Sequence, residues 1–128
     1  MNLLLDTHIW IWWLTDDPSL SIEARSLVED PKNQIIVSAI SFWEVVVKSQ
    51  IGKLQMSDRL EEASASNNIV VLPFRASHAL AVSKLPLHHR DPFDRALIAQ
   101  SVAEGLRFMT VDKALAAYSD NVDLLFVG

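Results

Sequence analysis

Four acidic side chains stand where hydrophobicity alone would not put them. Asp6 ends the apolar run Leu3-Leu4-Leu5, and Glu44 interrupts Phe42-Trp43-Glu44-Val45-Val46-Val47. Asp94 lies in Pro92-Phe93-Asp94-Arg95-Ala96-Leu97-Ile98-Ala99, and Asp112 follows Phe108-Met109-Thr110-Val111. A carboxylate in apolar surroundings is costly unless it is paired, hydrogen-bonded or bound to a metal. Four of them brought together would repel one another and raise each other's pKa. One or two divalent cations relieve that repulsion. Hard oxygen donors suit Mg²⁺ or Mn²⁺, with waters and substrate phosphates completing the shell. Water on such an ion becomes a nucleophile near neutral pH. The pattern points to cation-assisted chemistry, provided that the fold gathers the four.

The elements that must do the gathering alternate in type. Short apolar runs at Leu3–Leu5, Ile35–Val37, Ile69–Leu72 and Arg107–Thr110 read as strands, with a weaker fifth at Leu124–Val127. None alternates cleanly between polar and apolar, which suits strands buried on both faces. Helical patterns lie between them, at Thr7–Leu14, Ile22–Glu29, Ser41–Ile51, Asp58–Ser66, Ala76–Ser83, Pro92–Glu104 and Lys113–Tyr118. Pro92 and Gly105 form a matched start and stop. Strands alternating with helices imply a mostly parallel sheet covered on both sides, an α/β fold in three layers. Ligands in such sheets bind beyond the carboxyl ends of the strands. Asp6 and Asp112 sit just past two such ends, and Glu44 falls in the first turns of the helix after the second strand. Asp94 opens a helix that leads back into a strand, and its arrival at the same edge does not follow from that rule.

Each acid also has a plainer explanation. Acids favour helix N-termini, where they cap free N–H groups and meet the positive end of the dipole. Asp6 and Asp112 can each cap the helix that follows. Ser41 and Glu44 form a capping box if Ser41 is the cap, and Glu44 can pair with Lys48 one turn on. Asp91 precedes Pro92, so capping is the better reading for Asp91. Asp94 shares a helical face with Leu97, Ile98 and Ser101, which makes it the better functional candidate of the two.

Composition narrows the classes. The 128 residues suit a single domain, 1–128, with half the residues hydrophobic and able to form a core. Zero cysteines exclude disulfides and thiolate zinc sites. No apolar stretch nears the roughly 20 residues that span a bilayer, and the N-terminus has no signal-peptide pattern. Together these favour a cytoplasmic protein with no membrane partner. The net charge of −5 argues against a generic nucleic-acid binder, an objection that weakens if the acids hold cations.

At this point the chain resembles the PIN-domain family of metal-dependent ribonucleases, and within it the VapC-type toxins of toxin–antitoxin pairs. Leu4-Leu5-Asp6-Thr7-His8 is similar to the family's opening strand and first acid. Ser38-Ala39-Ile40-Ser41-Phe42-Trp43-Glu44 resembles its second. His89-Arg90-Asp91-Pro92-Phe93-Asp94-Arg95-Ala96-Leu97-Ile98-Ala99-Gln100 is the most specific match and puts the third acid on Asp94. Thr110-Val111-Asp112 resembles the closing motif. The resemblance covers nearly the whole chain. It implies a PIN-like fold and Mg²⁺- or Mn²⁺-dependent hydrolysis of RNA. It also implies a homodimer and inhibition by a VapB-like antitoxin. Asp6, Asp94 and Asp112 would hold the ion or ions, and Glu44 would bind a second ion or orient the attacking water. Thr7, Thr110 and Asp91 would support them. Arg90, Arg95, Lys48 and His89 lie near the acids in sequence and can contact RNA phosphates, with solvated surface as the plain alternative for each.

Trp10, Trp12, Trp13 and Trp43 invite a base-stacking reading. Core or interface packing suits them better, because Trp10 and Trp13 lie one helical turn apart. A surface-exposed member would suggest a contact with a second copy or an antitoxin.

Other classes fit less well. A receiver domain needs an Asp after a middle strand, and none of these middle strands ends in one. A haloacid-dehalogenase-type phosphatase needs Asp-x-Asp after the first strand, where this chain has Asp6-Thr7-His8. No P-loop is present. The remaining rival is a PIN-like module that binds a partner without catalysis.

Overall fold

A computed structural model describes residues 1–52 and 59–128. Five strands form one sheet: β1 (Asn2–Leu5), β2 (Gln34–Ser38), β3 (Val70–Leu72), β4 (Arg107–Thr110) and β5 (Leu124–Phe126). Their order is β3-β2-β1-β4-β5, and every neighbouring pair is parallel. Leu4 sits opposite Ile36 on one side and Phe108 on the other. From β1 the chain winds outward through β2 and β3, then returns to lay β4 against the far side of β1. The winding direction therefore reverses between β1 and β4. Such reversal points are where ligand crevices open in parallel sheets.

The three central strands are buried on both faces. Leu3, Leu5, Val37 and Met109 enter one core with Trp10, Val28 and Val45. Their neighbours Leu4, Ile36 and Phe108 enter the other with Leu97, Ile98 and Tyr118. One-residue alternation of side-chain direction explains this split. The first core lies under α1 (Thr7–Leu14) and α2 (Ile22–Glu29), with α4 (Leu60–Ser66) packed against it. The second lies under α6 (Pro92–Glu104) and the 3-10 helix Lys113–Tyr118. Helix α3 (Ala39–Gln50) contributes to both, through Val45 and Ile40. The expected three layers are present, and the sheet is wholly parallel.

Local signals account for most boundaries. Asp91 Oδ1 accepts from the backbone N–H groups of Phe93 and Asp94 at 2.8 and 3.1 Å, with Pro92 in the first turn. Gly105 closes α6 at φ +64°, a left-handed conformation that glycine adopts without strain. The helix expected at Ser41 begins instead at Ala39. Ser38 is its cap, with Oγ accepting from Ile40 N–H at 3.0 Å, so the Ser41–Glu44 capping box does not form. The helix expected over Ala76–Ser83 is an α-helix, α5 (Ala76–Ala81), that tightens to 3-10 geometry at Val82–Lys84. In the Asp58–Ser66 reading, Asp58 lies outside the described residues. No helix among them is long and apolar enough to cross a membrane.

Candidate metal centre

The four acids arrive at the crevice by three routes. Asp6 and Asp112 leave the carboxyl ends of β1 and β4, the two strands that flank the reversal. Glu44 hangs from α3, the helix that follows β2. Asp94 sits in the first turn of α6. That helix runs back to the amino end of β4, so its own amino end stands at the carboxyl edge of the sheet.

Asp6 is only 4% exposed, yet its side chain does not cap α1. Its backbone N–H still bonds Met109 O at 2.9 Å, as a continuation of the sheet. Oδ2 accepts instead from Thr110 Oγ1 at 2.6 Å. The same threonine oxygen accepts from Asp112 N–H at 3.0 Å, so one hydroxyl links both strand-end acids. Asp112 also caps the 3-10 helix, through Ala114 N–H to Oδ1 at 3.0 Å. Glu44, 2% exposed, has both oxygens engaged. Thr7 Oγ1 donates to Oε1 at 2.6 Å, and Lys48 Nζ bonds Oε2. Ser41 Oγ lies 2.8 Å from Thr7 Oγ1 and completes that chain.

Asp94 stands in a setting that disfavours its charge. Burial, then the charges of Asp6, Asp91 and Glu44, push its carboxyl up to about 7, against the opposing bond from His89. His89 Nε2 lies 2.9 Å from Asp94 Oδ2. Burial also raises Asp6, with Glu44 adding to the rise, while Thr110, His8 and the Thr7 backbone oppose it. In both carboxyls burial is the largest cause, and the nearby acids add to it. One ligand atom each from His89, Asp94 and Asp112 falls within 4.8 Å of the others. Asp6 and Glu44 stand outside this tight set, although the charge of each reaches Asp94. Carboxylate oxygens in this number fit a hard divalent ion, and the imidazole is an acceptable further donor.

The basic candidates separate. Lys48 is bound to Glu44 and carries a raised pKa. Burial depresses it, and the Glu44 bond with the charges of Glu44, Asp91 and Asp94 outweighs that depression. Arg95 turns away from the acids. Its guanidinium donates to Pro86 O and Tyr118 Oη, both at 2.9 Å, and to Val82 O at 3.2 Å. These donors hold the segment before α6, so in this structure the Arg95 guanidinium is engaged within the chain. Arg90 is exposed and lines an apolar pocket with Trp43, Phe93 and Leu87. Trp10 is fully buried and donates to Ser64 Oγ at 3.0 Å. Trp43 is 59% exposed and stacks edge-on against Phe93 at 5.2 Å.

His89, read from the sequence only as a possible RNA contact, stands instead beside two of the acids, and Tyr118 escaped the sequence reading altogether. His89 had no ligand spacing to reveal that it joins Asp94 and Asp112. Tyr118 lies far along the chain, yet its hydroxyl accepts from His88 N–H at 3.2 Å and His89 N–H at 3.1 Å. No periodicity or motif signals such a hydroxyl. Only its identity as the lone tyrosine at the end of a helical pattern was available.

The fold and this site define a parallel α/β protein with a carboxylate centre at its reversal point. Residues 3–121 match the PIN domain family, and the chain belongs to it. It is 27% identical over 123 residues to Ribonuclease VapC22 of Mycobacterium tuberculosis, covering 91% of this chain and 92% of that one. Its fold is similar to that of VapBC2 from Rickettsia felis, solved bound to a DNA fragment from its promoter. That match has a TM-score of 0.69 and 15% identity, over 98% of each chain. It is also similar to FitAcB from Neisseria gonorrhoeae, at TM-score 0.63 and 20% identity, over 98% and 96% of the two chains.

Proposed function

We propose that this chain is a Mg²⁺- or Mn²⁺-dependent endoribonuclease and the toxin of a VapBC-type pair. The observation that carries this reading is the convergence of Asp6, Glu44, Asp94 and Asp112 on the β1–β4 reversal, within a PIN-family chain related to a ribonuclease. Asp6, Asp94 and Asp112 would hold the ion, and Glu44 would bind a second ion or orient the attacking water. A divalent ion bound there supplies Lewis acidity toward the phosphoryl oxygen and an activated water. The remaining residues position and balance. Thr110 orients Asp6, and Thr7 orients Glu44. Asp91 holds the first turn of α6 so that Asp94 faces the crevice. Arg90, exposed beside the site, receives an RNA phosphate.

A VapB-like antitoxin partner and a homodimer belong to the same reading. The partner is supported by the toxin–antitoxin complexes among the structural neighbours, and either contact by the exposed Trp43 on α3. An exposed large aromatic beside an apolar pocket is the kind of surface that partners cover.

The test is cleavage of a structured RNA by the wild type, Asp6→Asn and Asp94→Asn, with Mg²⁺, with Mn²⁺ and with chelator. Cleavage by the wild type alone, abolished by chelator, is expected. Equal behaviour of all three proteins would leave only a partner-binding module.

A further inference from the structure

We propose that Gln100 is a positioning residue for the reaction: from the middle of α6 it pins the joint between β2 and α3, and so sets where Glu44 stands against Asp94. The proposal rests on the nuclease reading and deepens it by naming a residue that acts on the site from below, without touching it.

No residue separates β2 from α3. Ser38 ends the strand and Ala39 starts the helix, so the direction in which α3 leaves the sheet is decided at Ser38. Ser38 is fully buried, and its Oγ already accepts from Ile40 N–H at 3.0 Å as the helix cap. The hydroxyl hydrogen goes elsewhere: Ser38 Oγ donates to Gln100 Oε1. Gln100 is itself fully buried, and a buried carboxamide is costly unless both its ends are paired. Its Nε2 donates to Pro73 O at 3.1 Å, just past the end of β3. Ser38 and Leu72 are register partners in β2 and β3, so one carboxamide ties the exits of two adjacent strands to α6.

The neighbours leave that carboxamide one orientation. Pro73 O can only accept, so Nε2 faces it and Oε1 faces Ser38. The other Nε2 hydrogen points toward His78 Nδ1, at 3.3 Å. That ring nitrogen also accepts from Arg75 N–H at 2.9 Å, so it carries a lone pair, and Nε2 of the ring donates to Glu104 Oε1 at 2.8 Å. A carboxylate at the end of such a chain polarises each bond in turn.

The joint has leverage over the acids. Glu44 stands six residues after Ser38, and Asp94 six residues before Gln100. Six residues rise about 9 Å along a helix, so a tilt of about 10° at the joint moves either acid by about 1.5 Å. A misplacement of about 1 Å can cost about a hundredfold in rate. A buried glutamine that merely satisfies its own core would carry no such cost.

The experiment is steady-state cleavage of the structured RNA by the full chain, expressed per folded protein, with amide exchange at Ile40 read by NMR. Gln100→Met keeps the bulk and removes the carboxamide. It is expected to lower kcat about tenfold to a hundredfold, with KM within about threefold. Ile40 N–H should exchange about tenfold faster or more, because its cap is no longer held. Ser38→Ala should lose a similar factor in kcat, and the double variant no more than the larger single loss, since both act through one bond. Ser101→Ala is the control. Ser101 is buried beside Gln100, but its hydroxyl donates to Leu97 O within α6, so kcat should stay at the wild-type value. Wild-type kcat in folded Gln100→Met would overturn the proposal and leave the nuclease reading standing. So would losses that multiply in the double variant, or an equal loss in Ser101→Ala. If Gln100→Met does not fold, Ser38→Ala decides, and wild-type kcat there overturns the proposal. No cleavage by the wild type would overturn both readings together.

Discussion

Thr110 Oγ1 donates to Asp6 Oδ2 at 2.6 Å, joining the ends of the two strands between which the sheet reverses direction. The same oxygen accepts from Asp112 N–H. One hydroxyl thus fixes the angle between two acids more than 100 residues apart in the chain. Asp6 is buried, so few other donors can replace it.

Removal of that hydroxyl should be felt as both stability and ion affinity. Thr110→Val is expected to cost about 1–3 kcal/mol in urea unfolding above pH 7, the range for stranding a buried acceptor. It should also raise the Asp6 carboxyl further, because the Thr110 bond is the largest influence opposing burial there. Thr110→Ser keeps the hydroxyl and should recover most of the loss. Equal stability of the valine and serine variants would show that the bond contributes nothing.

Asp94 gives a pH dependence of definite sign. Its carboxyl is raised from 3.8 to about 7 in the folded chain. The folded state therefore holds a proton that the unfolded state has released between those values. Stability from this group is greatest at or below about pH 4, falls as pH rises toward 7, and is level above. Without divalent ions, Asp94→Asn should then be more stable than wild type at pH 8, by roughly 1–3 kcal/mol. The gap should close as pH falls toward 4. Millimolar Mn²⁺ at pH 8 should stabilise the wild type and not the variant. Melting curves across pH, with and without Mn²⁺, test this, and a gap that widens on acidification would contradict it.

The sequence made the sheet readable because its three central strands are apolar on both faces and its helices carry strong punctuation. Pro92 and Gly105 bound α6 as expected, since each acts through its own backbone restriction. The start of α3 was misjudged because Ser38 and Ser41 are both plausible caps. Local chemistry does not choose between them, whereas the burial of Ser41 against Thr7 does. Asp94 was also readable in principle. A helix packed between parallel strands runs opposite to them, so the start of α6 must stand at the carboxyl edge.

What stayed hidden depends on contacts between distant segments. Arg95 and Arg90 look alike in sequence, five residues apart beside the same motif. One is held by loop carbonyls and Tyr118, the other is exposed. His89 lacked ligand spacing because its partners come from α6 and from the end of β4.

Tyr118 is the hinge of that hidden part. Its hydroxyl accepts from two backbone N–H groups at His88 and His89, with Arg95 Nη1 at 2.9 Å. Tyr118→Phe retains the packed ring and removes the acceptor. A loss of about 1–3 kcal/mol is expected. A fall in Mn²⁺ affinity should accompany it, because His89 is no longer held beside Asp94. Unchanged Mn²⁺ affinity in a folded Tyr118→Phe protein would mean that the loop keeps its place without the hydroxyl.

Arg90 and Arg95 should separate cleanly by experiment. Arg95→Met removes the donors to Pro86 O, Val82 O and Tyr118 Oη. It leaves part-buried carbonyls without these partners, so unfolding should come earlier by about 1 kcal/mol. Arg95→Lys should not rescue it, since an ammonium cannot reproduce the planar fork. Arg90→Ala should leave the urea midpoint unchanged within about 0.5 kcal/mol, as for ordinary surface positions. It should instead weaken RNA binding and flatten its salt dependence by about one phosphate contact. RNA affinity measured across a salt series, beside urea unfolding of the same proteins, tests both halves. The assignment fails if Arg95→Met reduces the salt slope without loss of stability, because the guanidinium would then be meeting phosphate rather than holding the loop.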